Sequence, residues 1–227
     1  MKWEIMGDLD SLCCVFFAGF GFNTTVYREF LGQDTLIVSC YDNFENAKDL
    51  LCILKQKHFT LIAFSMGVCV AQYLLNPLDK NILHSCAING TTLGIDKTKG
   101  IHPTLFAHTI KHFSQKTFVQ NCFNNANIPH CESLLNDTAN LIGELKGLQN
   151  FCQTTQYENL TQNRLIWDRA IIGLQDSIFK PEVQNHAWSV YKELYDVHYS
   201  GEKTFEILQI DAPHFIFKDS DACKTIC

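Results

Sequence analysis

Short apolar runs recur along the chain, and longer stretches with helical periodicity separate them. Leu12–Ala18 (LCCVFFA), Thr35–Tyr41 (TLIVSCY), Thr60–Phe64, Leu83–Asn89 (LHSCAIN), Asp168–Leu174 (DRAIIGL) and Thr204–Ile210 (TFEILQI) read as strands. Between them, Phe22–Leu31 is a candidate helix, and Phe44–Lys57 is amphipathic, with Leu50, Leu51 and Leu54 on one face. Met66–Leu75 reads as a mostly buried helix ended by Asn76-Pro77, and Pro181–Leu194 as another helix. The strands are continuously apolar rather than alternating. Such strands belong to a parallel sheet covered by helices on both faces, an α/β domain. Ligands of such sheets bind at the carboxyl ends of the strands.

One segment breaks the pattern. Thr92–Arg164 is rich in His, Asn, Gln and Lys and reads as several short helices. It is too long for a loop. The expected organisation is a core made of residues 1–91 and 165–227, with residues 92–164 inserted after the fourth run as a helical cap over the strand ends.

Composition narrows the class. A chain of 227 residues, 46% hydrophobic, buries a large core without covalent staples. The net charge of −6 disfavours nucleic-acid binding. No apolar run spans a bilayer; the longest, near Leu12–Phe22, is interrupted by two glycines. The opening MKWEIMGDLD lacks the shape of a signal peptide, so a cytoplasmic location is expected. The 11 cysteines are odd in number and include no CxxC pair. Cys13, Cys14, Cys40, Cys69 and Cys86 lie in apolar runs and read as small buried hydrophobes, not as disulfides or zinc ligands.

The chemistry is concentrated at TLIAFSMGV, residues 60–68. Ser65 ends a strand and begins a helix. A tight turn there lifts the hydroxyl above the sheet edge and crowds the residues two before and two after, which are the small Ala63 and Gly67. This is a nucleophile elbow with alanine at the usual first glycine. Alone, the pattern also fits a serine that merely caps a helix. A base and an acid strengthen it. His214, in DAPHFIF, follows the last strand, and Asp176 ends RAIIGLQD, one helix and one strand earlier. The order Ser, Asp, His is that of α/β-hydrolases. Asp42, Asp168 and Asp211 compete with Asp176; Asp42 precedes the serine and Asp211 lies very near His214. Ala18-Gly19-Phe20-Gly21 follows the first long strand and reads as an oxyanion turn, with the amides of Phe20 and Met66 as donors. A plain connection or a phosphate cradle is the alternative, but no third glycine completes GxGxxG and no Lys-Ser/Thr follows.

VFFAGFGFN (15–23), YDNF (41–44), AFSMGV (63–68), AINGT (87–91), GIHPTLF (100–106) and DAPHF (211–215) together resemble the BioG family. These are pimeloyl-[acyl-carrier protein] methyl ester esterases of biotin synthesis, an α/β-hydrolase group. The glycine turn is also similar to the HGWGLN turn of the BioH esterases. The resemblance implies an α/β-hydrolase fold and cleavage of the methyl ester of pimeloyl-[acyl-carrier protein], releasing methanol. It implies Ser65 as nucleophile, His214 as general base and acid, Asp176 as its orienting partner, and Phe20 and Met66 as oxyanion donors beside Gly19. It implies acyl-carrier protein as partner and no metal or organic cofactor. Ala63 and Ala18 depart from the common hydrolase pattern without removing a catalytic group. The short N-terminus leaves little room for the antiparallel strands that open many hydrolases, so a trimmed sheet is expected.

Residues 97–116 fit an acidic carrier. Lys97, Lys99, Lys111 and Lys116 occur there with His102, His108 and His112 and no acidic residue. A local basic face steers an acidic partner, although it also fits an ordinary solvated helix. His108 and His112 stand four apart, but without HExxH. Leu105, Phe106, Ile110 and Phe113 are expected to line the cap's inner face. Two other readings share these residues: a general short-chain carboxylesterase or acyl thioesterase, and a non-catalytic module that binds acyl-carrier protein.

Overall fold

The computed structural model describes residues 1–124, 131–158, 165–200 and 203–217. Its strands are β1 (Lys2–Met6), β2 (Cys14–Phe17), β3 (Thr35–Ser39), β4 (Phe59–Phe64), β5 (Ile82–Ile88), β6 (Arg169–Gly173) and β7 (Glu206–Ile210). They form one sheet in the order β1-β3-β2-β4-β5-β6-β7. Every neighbouring pair is parallel except β1 with β3. The continuous apolar runs have the expected cause: β3 is buried at every position and β6 at all but its first. The sheet is the mostly parallel, open sheet of the α/β-hydrolase fold.

The helices are α1 (Ala47–Leu54), α2 (Met66–Leu74), α3 (Pro103–Lys111), α4 (Gln115–Cys122), α5 (Thr138–Glu158) and α6 (Pro181–Tyr199). In α1, Leu50 and Leu54 are buried and Leu51 only partly. Helix α6 runs past the expected end at Leu194, which is itself exposed. Gln184, Trp188, Tyr191 and Tyr195 continue its buried stripe at helical spacing, and Ser200 closes it in the left-handed region.

Three expectations need correction. Phe22–Leu31 is not a regular helix; it holds one 3₁₀ turn, Thr24–Tyr27, capped by the Asn23 side chain at 3.0 Å. Adjacent β-branched Thr24, Thr25 and Val26 disfavour a longer helix. The N-terminus does accommodate one antiparallel strand, β1, whose signal was the brief alternation of Lys2 and Glu4 with Trp3 and Ile5. The cysteines divide: of the five expected to be buried, Cys69 and Cys86 are, Cys14 and Cys40 are half-buried, and Cys13 is exposed; Cys122 and Cys152 are also buried and Cys52 is exposed. Cys13 stands at the amino end of the sheet, beyond the reach of the core.

Within residues 92–164 the described part opens with turns and an Ile95–Ile101 bridge and continues as α3, α4, a 3₁₀ turn at Cys131–Leu134 and α5. Helix α5 lies along α2, where Tyr73 Oη donates to the Thr155 carbonyl at 3.0 Å and the Cys69 and Cys152 sulfurs are 3.8 Å apart. Among the described residues no helix is long and apolar enough to cross a membrane.

Candidate active site

Ser65 occupies the turn between β4 and α2 with φ 58° and ψ −127°. A non-glycine residue rarely adopts this conformation, and it persists only where its surroundings enforce it. They do so here. The Ser65 N–H donates to the Ile88 carbonyl at 2.8 Å, locking the turn to the end of β5. A Cβ at Gly67 would collide with the carbonyl oxygens of Phe17 and Ala18, so only glycine lets α2 start this close to β2. The same crowding reaches Gly19, where a Cβ would stand 2.7 Å from Phe64 Cδ1 and 3.1 Å from Ser65 Cβ.

The structure brings Ser65, His214 and Asp176 into one line. Ser65 Oγ is 3.0 Å from His214 Nε2, and His214 Nδ1 is 2.9 Å from Asp176 Oδ2. All three are at most 4% exposed. Asp176 is held by more than the imidazole. Its Oδ1 accepts from the N–H groups of Ile178 and Phe179 at 2.8 and 2.9 Å, and its Oδ2 accepts from Gln184 Nε2 at 3.1 Å. A buried carboxylate with this many donors is solvated by the protein in place of water. The Phe179 ring stacks over His214, nearly parallel, and Phe64 flanks it at 4.9 Å.

The competing acids lie elsewhere. Asp42 pairs with the Met1 amino group at 3.2 Å, Asp211 accepts from Gln175 Nε2 at 2.7 Å, and Asp168 is bonded to Ser85 at the amino end of the sheet.

Several contributors were not anticipated. Asn89 is fully buried at the end of β5; its Nδ2 donates to the His214 carbonyl at 2.7 Å and its Oδ1 accepts from the Gly173 N–H at 2.6 Å. It thereby fixes the His214 loop and the end of β6 together. Its signal was available: a polar residue closing an apolar strand at the carboxyl edge. Gln184 had no such signal, because only the folded approach of α6 brings it to Asp176. Helix α4 also clamps the site, for the Phe215 N–H donates to the Cys122 carbonyl at 2.9 Å and Ser177 Oγ to the Asn121 carbonyl at 2.7 Å. Burial, and then the nearby Asp176 charge, push the Cys122 thiol well above its usual range, so it stays neutral.

Beside Ser65 lies a pocket of about 130 Å³. Phe20, Ile101, Phe106, Phe118, Leu145 and Ile178 line it with Ser65 and Met66, and none of its lining among the described residues is a charged side chain. Leu105 and Phe106 take part as expected. Ile110 and Phe113 do not line it; they pack against the core, Phe113 meeting Phe20 edge-on at 5.7 Å. Phe20 and Met66 sit on opposite sides of Ser65 in sequence, and neither N–H donates a hydrogen bond among the described residues. Lys97, Lys111 and Lys116 are exposed, and Lys99 is half-buried beside Asp96. The His108 and His112 rings are 4.5 Å apart, and among the described residues no group of three or more His, Cys, Asp or Glu is placed to hold a metal ion.

Comparison with known proteins fits this geometry. Residues 1–208 match the family model described as "Pimeloyl-ACP methyl esterase BioG". The chain is 29% identical, over 78% of its length, to a malonyl-[acyl-carrier protein] O-methyltransferase of Bacteroides fragilis, but the match spans only 36% of that longer protein. It is 25% identical over 82% of its length to an uncharacterized protein of Haemophilus influenzae, covering 87% of that protein. Among solved structures, BioG of Haemophilus influenzae superposes with a TM-score of 0.74 at 22% identity, covering 96% of this chain and 95% of that one. A putative aryl esterase of Burkholderia cenocepacia follows with a TM-score of 0.70 at 15% identity, covering 99% and 91%. At these identities the structural likenesses establish the fold, and the family match over nearly the whole chain establishes the rest: the chain belongs to the pimeloyl-ACP methyl esterase BioG family.

Proposed function

We propose that the protein is a serine carboxylesterase that hydrolyses the methyl ester of pimeloyl-[acyl-carrier protein], giving pimeloyl-[acyl-carrier protein] and methanol. The observation that carries the reading is the continuous chain Ser65 Oγ–His214 Nε2 and His214 Nδ1–Asp176 Oδ2, at 3.0 and 2.9 Å, at the mouth of an uncharged pocket.

In this reading Ser65 Oγ attacks the ester carbonyl carbon while His214 Nε2 takes its proton. Asp176 holds the imidazole in the tautomer with the proton on Nδ1 and stabilises the imidazolium that forms. The carbonyl oxygen becomes an oxyanion between the N–H groups of Phe20 and Met66, the latter at the first turn of α2. The intermediate collapses, His214 gives its proton to the departing methoxide, and methanol leaves. Water, deprotonated by His214, then attacks the acyl-enzyme; its collapse frees the carboxylic acid and returns the proton to Ser65. The uncharged pocket suits a neutral ester. The carboxylate product finds no cation there among the described residues, which favours its release.

Residues 92–164 act as the cap in this reading: α3, α4 and α5 supply Phe106, Phe118 and Leu145 to the pocket wall. Lys97, Lys99, Lys111 and Lys116 supply a basic approach for the acidic acyl-carrier protein. The O-methyltransferase name of the Bacteroides relative belongs to a protein of which this chain matches about a third, so that activity is not carried over.

The test is to incubate the protein with pimeloyl-[acyl-carrier protein] methyl ester and follow the intact mass of the carrier. Loss of one methylene's mass with the intact serine, and none with Ser65→Ala, is the expected result. An unchanged carrier, alongside turnover of p-nitrophenyl esters, sinks the carrier-bound substrate and leaves a general short-chain esterase. An unchanged carrier and no esterase activity at all leave a non-catalytic carrier-binding module.

A further inference from the structure

Glu144 lies on α5, outside the line of catalytic groups, and is 2% exposed. A buried carboxyl group needs a reason to be there. Its Oε1 accepts from the Tyr41 N–H at 3.3 Å, and its carboxylate faces the Gly21 N–H. Gly21 is the last residue of the turn that presents the Phe20 amide. The other end of that turn is held by the same neighbourhood, since Tyr41 Oη donates to the Ala18 carbonyl at 2.8 Å. Two bonds thus run from Glu144 to the turn by way of Tyr41: Tyr41 N–H to Glu144 Oε1, and Tyr41 Oη to the Ala18 carbonyl.

The segment leading into α5 adds to the grip. The Asn136 N–H donates to the Gly21 carbonyl at 2.9 Å, the Asn23 N–H donates to the Leu134 carbonyl at 2.9 Å, and Phe22 and Leu135 form an antiparallel bridge. Leu145, next to Glu144 on α5, lines the pocket together with Phe20. One helix therefore touches the acyl pocket at Leu145 and, through Tyr41, holds the oxyanion turn at the adjacent Glu144.

Resting on the serine-esterase reading above, we propose that Glu144 is a positioning residue, which fastens the Ala18–Gly21 turn to α5 so that the Phe20 N–H points at the developing oxyanion. Oxyanion donors act through fixed geometry, and displacing one costs rate without costing ground-state binding. Glu144 touches no reacting atom; its effect passes through the turn.

The experiment compares wild type, Glu144→Leu, Glu144→Gln and Tyr41→Phe, with Ser65→Ala as control. The substrate is p-nitrophenyl butyrate, and active sites are counted by the burst with a phosphonate ester, so that misfolded protein does not count. A trifluoromethyl ketone, whose hemiketal oxyanion occupies the same place, reports transition-state binding. The expected result for Glu144→Leu is a kcat per active site lower by about 10- to 100-fold, KM within about twofold, and a parallel loss of ketone affinity. Glu144→Gln keeps an acceptor oxygen and stays within about threefold of wild type. Tyr41→Phe, which releases the Ala18 end only, loses kcat and ketone affinity together, and carries the test if Glu144→Leu does not fold. Unchanged kcat per site and unchanged ketone affinity in Glu144→Leu, or in Tyr41→Phe if it stands in, overturn the proposal while the loss of activity in Ser65→Ala keeps the esterase reading. Full activity in Ser65→Ala overturns both.

Discussion

The two ends of the sheet carry the same three residue types and do different things with them. At the carboxyl end, Ser65, His214 and Asp176 are strung in line. At the amino end, Ser85, His84 and Asp168 line a larger cleft of about 900 Å³, roofed by the starts of β2, β4, β5, β6 and β7. There Ser85 Oγ bonds directly to Asp168 Oδ2 at 3.2 Å and accepts from the Asp168 N–H at 2.8 Å. His84 precedes Ser85 in β5, so the two side chains point to opposite faces, and no hydrogen bond links them among the described residues. A hydroxyl that donates to a carboxylate while receiving a backbone N–H is structural glue. A hydroxyl paired with an imidazole, on a turn of positive φ, is what the proposed nucleophile requires. The order of the hydrogen bonds, not the size of the cleft, separates the two ends.

The largest test of this contrast exchanges one atom at each end. Ser65→Ala is expected to lower kcat at least about 10⁴-fold with folding intact. Ser85→Ala is expected to leave kcat within about twofold and to cost about 1–2 kcal/mol in urea unfolding, because Asp168 loses a buried partner. Comparable activity losses at both ends would erase the distinction. Next in size is the pair Asp176→Asn and Asp168→Asn. The first removes the acceptor that fixes the His214 tautomer and is expected to lower kcat about 10²- to 10⁴-fold. The second is expected to spare kcat and to destabilise the fold by about 1–3 kcal/mol, read by the same two assays.

Much of the carboxyl end was legible because its chemistry is local. The strand–Ser65–helix junction, with Ala63 and Gly67 as its small neighbours, lies within nine residues of sequence, and the apolar runs fixed which end of the sheet mattered. Asp176 and His214 were readable from position, each at the end of a predicted strand. Gln184, Glu144 and Cys122 were not. Their roles arise when α6, α5 and α4 dock against loops far along the chain, and nothing in their own spacing announces the meeting. The candidate helix at Phe22–Leu31 failed for a related reason. That segment is held by Leu134 and Asn136, which lie just before α5 and far along the chain, and its local propensity has little say.

A smaller effect separates the two ends along the pH axis. Burial raises the Glu144 carboxyl to about 7, the nearby N–H groups of Tyr41 and Gly21 offsetting it only in part; Asp42 raises it further and the Met1 amino group lowers it. Cys40, Tyr41 and Tyr27 also face it. A carboxyl whose folded pKa lies above its unfolded value favours folding while protonated. Its contribution is complete below about pH 4.5 and is lost as pH rises through about 7, a change worth about 3 kcal/mol. Glu144→Gln, which cannot ionise, removes that slope. The stability of the variant relative to wild type is therefore expected to increase from pH 5 to pH 8, approaching the full difference. A constant offset across that range in urea unfolding would show that the carboxyl does not titrate there.

The smallest expected effect concerns Gln184, which fine-tunes the carboxyl end without entering its chemistry. Its Nε2 donates both to Asp176 Oδ2 at 3.1 Å and to the Phe179 carbonyl at 2.7 Å, while its Oε1 has no hydrogen-bond partner among the described residues. A buried amide with an unsatisfied oxygen is kept at some cost, and here the donor half meets the oxygen that also receives His214 Nδ1. Gln184→Leu removes both the cost and the donor. Stability is expected to change by less than about 1 kcal/mol, since the two terms oppose. Activity has no such compensation: with one donor fewer, Asp176 Oδ2 is less firmly oriented toward the imidazole, and kcat is expected to fall about 3- to 10-fold with KM unchanged. The corresponding change at the amino end, Tyr195→Phe, removes the 3.4 Å bond to Asp168 Oδ1 and is expected to leave kcat alone. Equal kcat in the two variants would mean that four donors hold Asp176 no better than three, and that the difference between the ends rests on Ser65 and His214 alone.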